Sequence, residues 1–126
     1  MKTGLDILYV DDHCDTAWLM REALESGGHN AVIALTSNQA LDLIQQREFD
    51  LYVLDLRLPQ IDGLELCRRI RALHSQKIVI IFSALDYEVY RQAAYDAGAT
   101  MYVGKHYGIE PILSIANQMG KASVSP

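Results

Sequence analysis

The chain has 126 residues, 50% of them apolar and 21% charged, with a formal net charge of −5 at pH 7. That length suits one domain with a real core, and the apolar fraction excludes a disordered chain. The acidic balance argues against electrostatic gripping of nucleic acid, and Cys14 and Cys67 are too far apart for a disulfide framework or a zinc site.

Residues 5–10 are β-rich and largely apolar, interrupted by Asp6, and run straight into Asp11 and Asp12. Asp15 is placed to cap a helix over 16–26, with Ala17, Met20, Ala23 and Leu24 along one face, and Gly27-Gly28 ends it. A second apolar strand spans 30–35. Thr36 and Gln39 then form a capping box before a helix carrying Ala40, Leu41, Leu43 and Ile44. Leu51, Tyr52, Val53 and Leu54 make a buried strand ending on Asp55, and Pro59 forbids its continuation. Asp62 caps the next helix with Glu65 three residues on; Leu66, Cys67, Ile70 and Leu73 fall at helical spacing.

Residues 77–82 are the most apolar run, suited to a strand covered on both faces, and Ser83 ends it. Asp86 is placed to cap a helix through Ala97, stopped by Gly98. A short fifth strand over 101–104 ends at Lys105. Pro111 opens a last helix with Ile112, Ile115, Ala116 and Met119 inward, and Gly120 closes it. Five β-then-α repeats predict a parallel sheet between two layers of helices, joined by right-handed crossovers. No apolar run approaches a membrane span and no basic segment leads into an apolar stretch at the N-terminus, so a soluble, cytoplasmic protein is expected.

Four strands end in groups that can do chemistry: Asp11-Asp12, Asp55, Ser83 and Lys105. Parallel strands bring their C-terminal ends to one edge, where open α/β sheets bind ligands. Three carboxylates in one crevice repel one another and favour a hard divalent cation. An ammonium and a hydroxyl facing that cation suit a tetrahedral oxyanion, and an ionised carboxylate beside them can attack phosphorus.

In this arrangement the chain resembles the receiver domain of two-component response regulators, over residues 5–119. The resemblance rests on Asp11-Asp12, Asp55 with its LPQIDG continuation, Ser83-Ala84, Tyr102 and Lys105. It implies a flavodoxin-like (βα)5 three-layer sandwich with sheet order 2-1-3-4-5, residues 1–120 being the receiver and 121–126 a flexible tail or the start of a linker. It implies Asp55 as phosphoacceptor and Mg2+ held by Asp12, Asp55 and the backbone carbonyl of Arg57, with Asp11 acting through water. Lys105 and Ser83 would bind phosphoryl oxygens, and Tyr102 would turn inward with Ser83, re-setting the face of the fourth helix, fifth strand and fifth helix. The implied donor is a phosphohistidine on a sensor kinase or phosphotransfer protein. The implied output is a downstream effector domain or protein, or a phosphorylation-dependent homodimer, with no direct nucleic-acid or membrane contact. Such a domain is a phosphoacceptor rather than an enzyme, beyond self-directed phosphotransfer and autodephosphorylation.

Three positions depart from the family pattern. His106 stands where many receivers have proline, so a trans bond and a shifted loop are expected. Arg57 puts a long cation at the pocket mouth, and Leu85, beyond Ala84, offers nothing to orient a hydrolytic water. His13 and Cys14 invite a transition-metal reading, but without a second His or Cys at ligand spacing a helix-entry turn is the better one. Tyr87, Tyr90 and Tyr95 suit either a partner surface or half-buried helix edges. Two rival functions remain: a receiver-like scaffold that is never phosphorylated, and an aspartyl-phosphate phosphohydrolase. The second is disfavoured because such enzymes carry an acid where Arg57 stands.

Overall fold

Successive residues of a strand point to opposite faces, and this chain's strands are apolar on both. The computed structural model describes residues 4–124, with side chains through Gly120. The strands are β1 (Asp6–Val10), β2 (Asn30–Ala34), β3 (Leu51–Leu54), β4 (Ile78–Ser83) and β5 (Met101–Gly104). All pair in parallel, in the order β2-β1-β3-β4-β5. Between and after them lie α1 (Cys14–Ser26), α2 (Ser37–Gln46), α3 (Gly63–Leu73), α4 (Glu88–Asp96) and α5 (Glu110–Val124). Leu8, Val10, Tyr52, Leu54, Val79 and Ile81 face one way, onto Ile44, Leu66, Ile70 and Ala94 of α2, α3 and α4. Ile7, Tyr9, Leu51, Val53, Ile80 and Phe82 face the other way, onto Met20 and Leu24 of α1 and Ile112 and Ala116 of α5. The result is the expected flavodoxin-like three-layer sandwich, its two cores separated by one sheet.

Two of the expected caps form. The Thr36 hydroxyl accepts the Gln39 amide at 3.1 Å, and the Asp62 carboxylate accepts the Glu65 amide at 2.9 Å. Two others do not. α1 starts at Cys14 with His13 as its N-cap, which leaves Asp15 inside the first turn, where its charge suits the helix dipole. α4 starts at Glu88 after Tyr87, because the Asp86 carboxylate is taken by the Arg91 guanidinium at 2.8 Å. Leu73 is 53% exposed rather than inward, since the core-facing stripe of α3 ends at Ile70. Gly120 does not close α5, which continues through Val124. Of the proposed tail, residues 125–126 lie outside the described residues.

One glycine sets how closely α3 approaches the end of β3. Its amide donates to the Leu56 carbonyl at 2.9 Å, and a Cβ on Gly63 would stand 2.1 Å from the backbone carbonyl oxygen of Asp55. Backbone cannot rotate aside as a side chain can, so the helix or the loop must move. Gly63→Ala should therefore cost about 2–3 kcal/mol in denaturant unfolding. Gly28→Ala is the control: its φ of +90° strains an L-residue, but nothing lies within 4 Å, and about 1 kcal/mol is expected. Equal losses at the two positions would show that α3 shifts cheaply.

Candidate functional site

The sheet order makes β1, β3, β4 and β5 neighbours, and the chemistry-bearing groups follow from that. Asp11 and Asp55 each sit one residue past a strand, still on the ladder. The Asp55 amide donates to the Val10 carbonyl at 2.9 Å and the Asp11 amide to the Ala34 carbonyl at 3.1 Å. Ser83 is the last residue of β4, and Lys105 opens a short 3-10 turn (Lys105–Tyr107) directly after β5. An open pocket of about 270 Å³ is lined by Asp12, His13, Asp55, Arg57, Ser83, Ala84, Leu85 and Lys105.

Asp11 is fully buried and fully bonded. Its Oδ2 accepts the Tyr9 hydroxyl and the Lys105 ammonium, each at 2.8 Å. Its Oδ1 accepts the His13 amide at 3.0 Å and lies 3.0 Å from His13 Nδ1. Lys105 also reaches Asp55 Oδ2 at 3.3 Å, so one ammonium joins two carboxylates. Asp12 is the partly exposed member, 3.3 Å from His13 Nδ1. Ser83 is buried, and its hydroxyl accepts the Leu85 amide at 3.0 Å. The Tyr102 hydroxyl donates to the Leu85 carbonyl, and its ring lies beneath the Arg91 guanidinium. Tyr102 is inward in this structure, 5% exposed.

The carboxylates split electrostatically. Burial raises the Asp55 pKa, and the neighbouring Asp11 charge adds to the rise against the opposing pull of Lys105. Burial pushes Asp11 upward too, but hydrogen bonds from Lys105, the His13 amide and Tyr9 together hold it below the usual carboxylate range. Burial and then the Asp11 charge push the Tyr9 hydroxyl far up, keeping it a donor. The hydrogen bond to Asp11, followed by the charges of Asp11 and Asp12, raises His13.

Two participants escaped sequence reasoning. Tyr9 lies two residues before Asp11, so strand alternation puts both side chains on one face, and that signal was present. His13 is the helix-entry residue expected, the N-cap of α1, and its ring nitrogen also joins Asp11, Asp12 and Asp55 in a cluster whose candidate ligand atoms all lie within 4.8 Å of one another. Cys14 is exposed and does not take part. The Lys105–His106 bond is trans, as there is no cis peptide among the described residues. Arg57 is exposed at the pocket mouth. Tyr87 and Tyr95 are exposed, whereas Tyr90 packs partly against the core.

A family model for the response regulator receiver domain matches residues 7–117. The chain belongs to the response-regulator receiver family. Response regulator MprA of Mycolicibacterium vanbaalenii is 35% identical over 108 residues, covering 86% of this receiver and 47% of the relative. The receiver therefore spans about half the length of the curated relatives it matches. The receiver domain of Francisella response regulator 1452 is 27% identical with a TM-score of 0.86, over 94% of this chain and 98% of that one. The BeF3-activated DrrB receiver domain is 27% identical with a TM-score of 0.84, over 91% and 96%. Receiver domains bind Mg2+ at their acidic pocket, and the oxygen-rich cluster of Asp11, Asp12 and Asp55 fits such a hard cation. Among the described residues no helix is long and apolar enough to cross a membrane.

Proposed function

We propose that this receiver is a switch set by transfer of a phosphoryl group onto Asp55. The observation that carries the reading is the Lys105 ammonium, 3.3 Å from Asp55 Oδ2 and facing a pocket shared with Asp12 and Ser83. An Asp55 oxygen attacks phosphorus as the donor's bond breaks, and Lys105 neutralises a phosphoryl oxygen as charge builds there. Asp12, Asp55 and the backbone carbonyl of Arg57 would hold Mg2+, with Asp11 acting through water; the ion supplies further charge neutralisation. The Ser83 hydroxyl, which accepts the Leu85 amide, then donates its proton to a phosphoryl oxygen. Because Tyr102 is bonded to the Leu85 carbonyl, movement of residues 83–85 reaches β5 and the α4-β5-α5 face.

A phosphohistidine on a sensor kinase or phosphotransfer protein is the donor in this reading. The output passes through that face to an effector domain, a separate protein or a second copy. Likeness to a receiver activated by BeF3, a phosphoryl mimic, supports it. Acetyl phosphate with Mg2+ should add one phosphoryl group, mapped to Asp55 by mass spectrometry, and chelation should prevent it. Modification at another residue overturns the assignment of Asp55, and no modification at all favours a scaffold that is not phosphorylated.

A further inference from the structure

The ring of His13 occupies an unusual place in the acidic cluster. Its Nδ1 lies 3.0 Å from Asp11 Oδ1, 3.3 Å from Asp12 Oδ1 and 3.9 Å from Asp55 Oδ2. Ligands on a small octahedral cation stand about 2.1 Å from it, so neighbours are roughly 3.0 Å apart and opposites roughly 4.2 Å. Asp12 and Asp55, the carboxylates assigned to the ion above, lie from Nδ1 within this range, while the contact to Asp11 is a hydrogen bond that ligation would give up. We propose that His13 supplies an imidazole nitrogen to the divalent cation of this pocket, giving a mixed nitrogen and oxygen site that favours borderline ions such as Co2+ and Ni2+ over Mg2+. This rests on the acidic pocket being the cation site, as in the reading above.

The local structure supports a ligand role. The His13 amide is tied to Asp11 Oδ1 at 3.0 Å, and its carbonyl accepts the Ala17 amide, which fixes the backbone at the entry to α1. The side chain remains 69% exposed, free of packing that would prevent it from turning its lone pair to the ion. Lys105 and Tyr9 engage the opposite oxygen of Asp11, so Oδ1 and Nδ1 stay on the pocket side. Ligation uses the neutral ring, with its proton on Nε2. An oxygen-only site discriminates weakly among small divalent ions. Imidazole strengthens binding along the series towards Ni2+ and Cu2+ and adds little for Mg2+.

The test compares the intact domain with His13→Ala and His13→Asn by titration with Mg2+, Co2+ and Ni2+, and by the Co2+ absorption spectrum. Asn keeps a residue suited to the helix N-cap, which separates ligation from helix entry. In both variants Ni2+ and Co2+ affinity should fall about ten- to hundredfold, Mg2+ affinity should hold within about twofold, and the Co2+ spectrum should lose its nitrogen-ligand character. An unchanged Ni2+ to Mg2+ preference with an unchanged spectrum overturns the proposal while leaving the acidic site intact. So does tighter binding of every ion in the variants, which would make the ring a displaceable plug. Absence of Mg2+ and Co2+ binding in the parent overturns the cation site itself, and the proposal with it.

Discussion

Asn in place of Asp55 should leave a folded domain that takes no phosphoryl group, yet is more stable than the parent at neutral pH without metal. The chemical half of that result is all-or-none, because an amide is no nucleophile towards phosphorus. The stability half follows from the raised Asp55 pKa, caused by burial and then by the Asp11 charge. A carboxyl raised in the folded state binds its proton more tightly there than in the unfolded chain, whose ordinary value is about 3.9. Its contribution to stability therefore falls as pH rises from that value through the folded one, and the penalty is full above both. Asn removes the penalty while keeping the shape. Asp11 runs the opposite way: its lowered pKa contributes stability above the unfolded value, lost as pH falls through the folded one. That contribution survives in Asp55→Asn. Thermal midpoints of parent and variant should thus be farthest apart near pH 7 and converge towards pH 4. Mg2+ should raise the parent's midpoint and move the variant's much less. A variant less stable than the parent at pH 7 would mean that the Lys105–Asp55 contact outweighs repulsion and burial together.

Much of this architecture was legible because it follows from one-dimensional periodicity. Apolar runs of four to six residues ending on Asp, Ser or Lys identify parallel strands and put their ends on one edge. Thr36 and Asp62 were legible as caps because their partners lie three residues on. Asp15 and Asp86 are N-cap residue types without a Glu or Gln three residues on, and they fail for tertiary reasons: His13, tied to Asp11, already starts α1, and Arg91 claims the Asp86 carboxylate. The need for glycine at position 63 was hidden for a similar reason, since it comes from the backbone of Asp55 across a loop. His13 was legible as the entry to α1, whereas the contact of its ring with the carboxylates was not. Ligand-spacing rules look for His and Cys at fixed separations, whereas here the partners are carboxylates from two strands and the ring reaches them by the curl of the chain into α1. Tyr102 posed a different limit, because residue type alone does not say whether its ring lies inward or outward.

Phosphate on Asp55 should persist, and Leu85→Glu with Arg57→Asn should shorten its life by about tenfold or more, each tenfold corresponding to about 1.4 kcal/mol of barrier. Hydrolysis needs a water in line with phosphorus, opposite the bond to Asp55. Arg57 and Leu85 line the same pocket as Asp55, and neither side chain offers an acceptor for that water. The Leu85 side chain packs against the core, while its amide is bonded to Ser83 and its carbonyl to Tyr102, so it is an apolar wall held by its own backbone. Arg57 is exposed by comparison. It borders both this pocket and a neighbouring groove with Leu56, Leu58, Asp62, Leu64 and Tyr90, and can fold across the mouth to a phosphoryl oxygen. A guanidinium beside phosphorus can also speed transfer, as arginine fingers do. Here that effect is secondary, because charge stabilisation does not help until a water is held in line. Glu at position 85 would supply an acceptor for such a water, and Asn at 57 would open its path. The measurement is the decay of phosphoprotein after donor removal, with Mg2+ present, in the parent, both single variants and the double variant. Blocking predicts that each single change accelerates decay and that the double is fastest. A parent as short-lived as the double variant, or an Arg57→Asn that decays more slowly than the parent, would mean that Arg57 assists the attack instead of obstructing it.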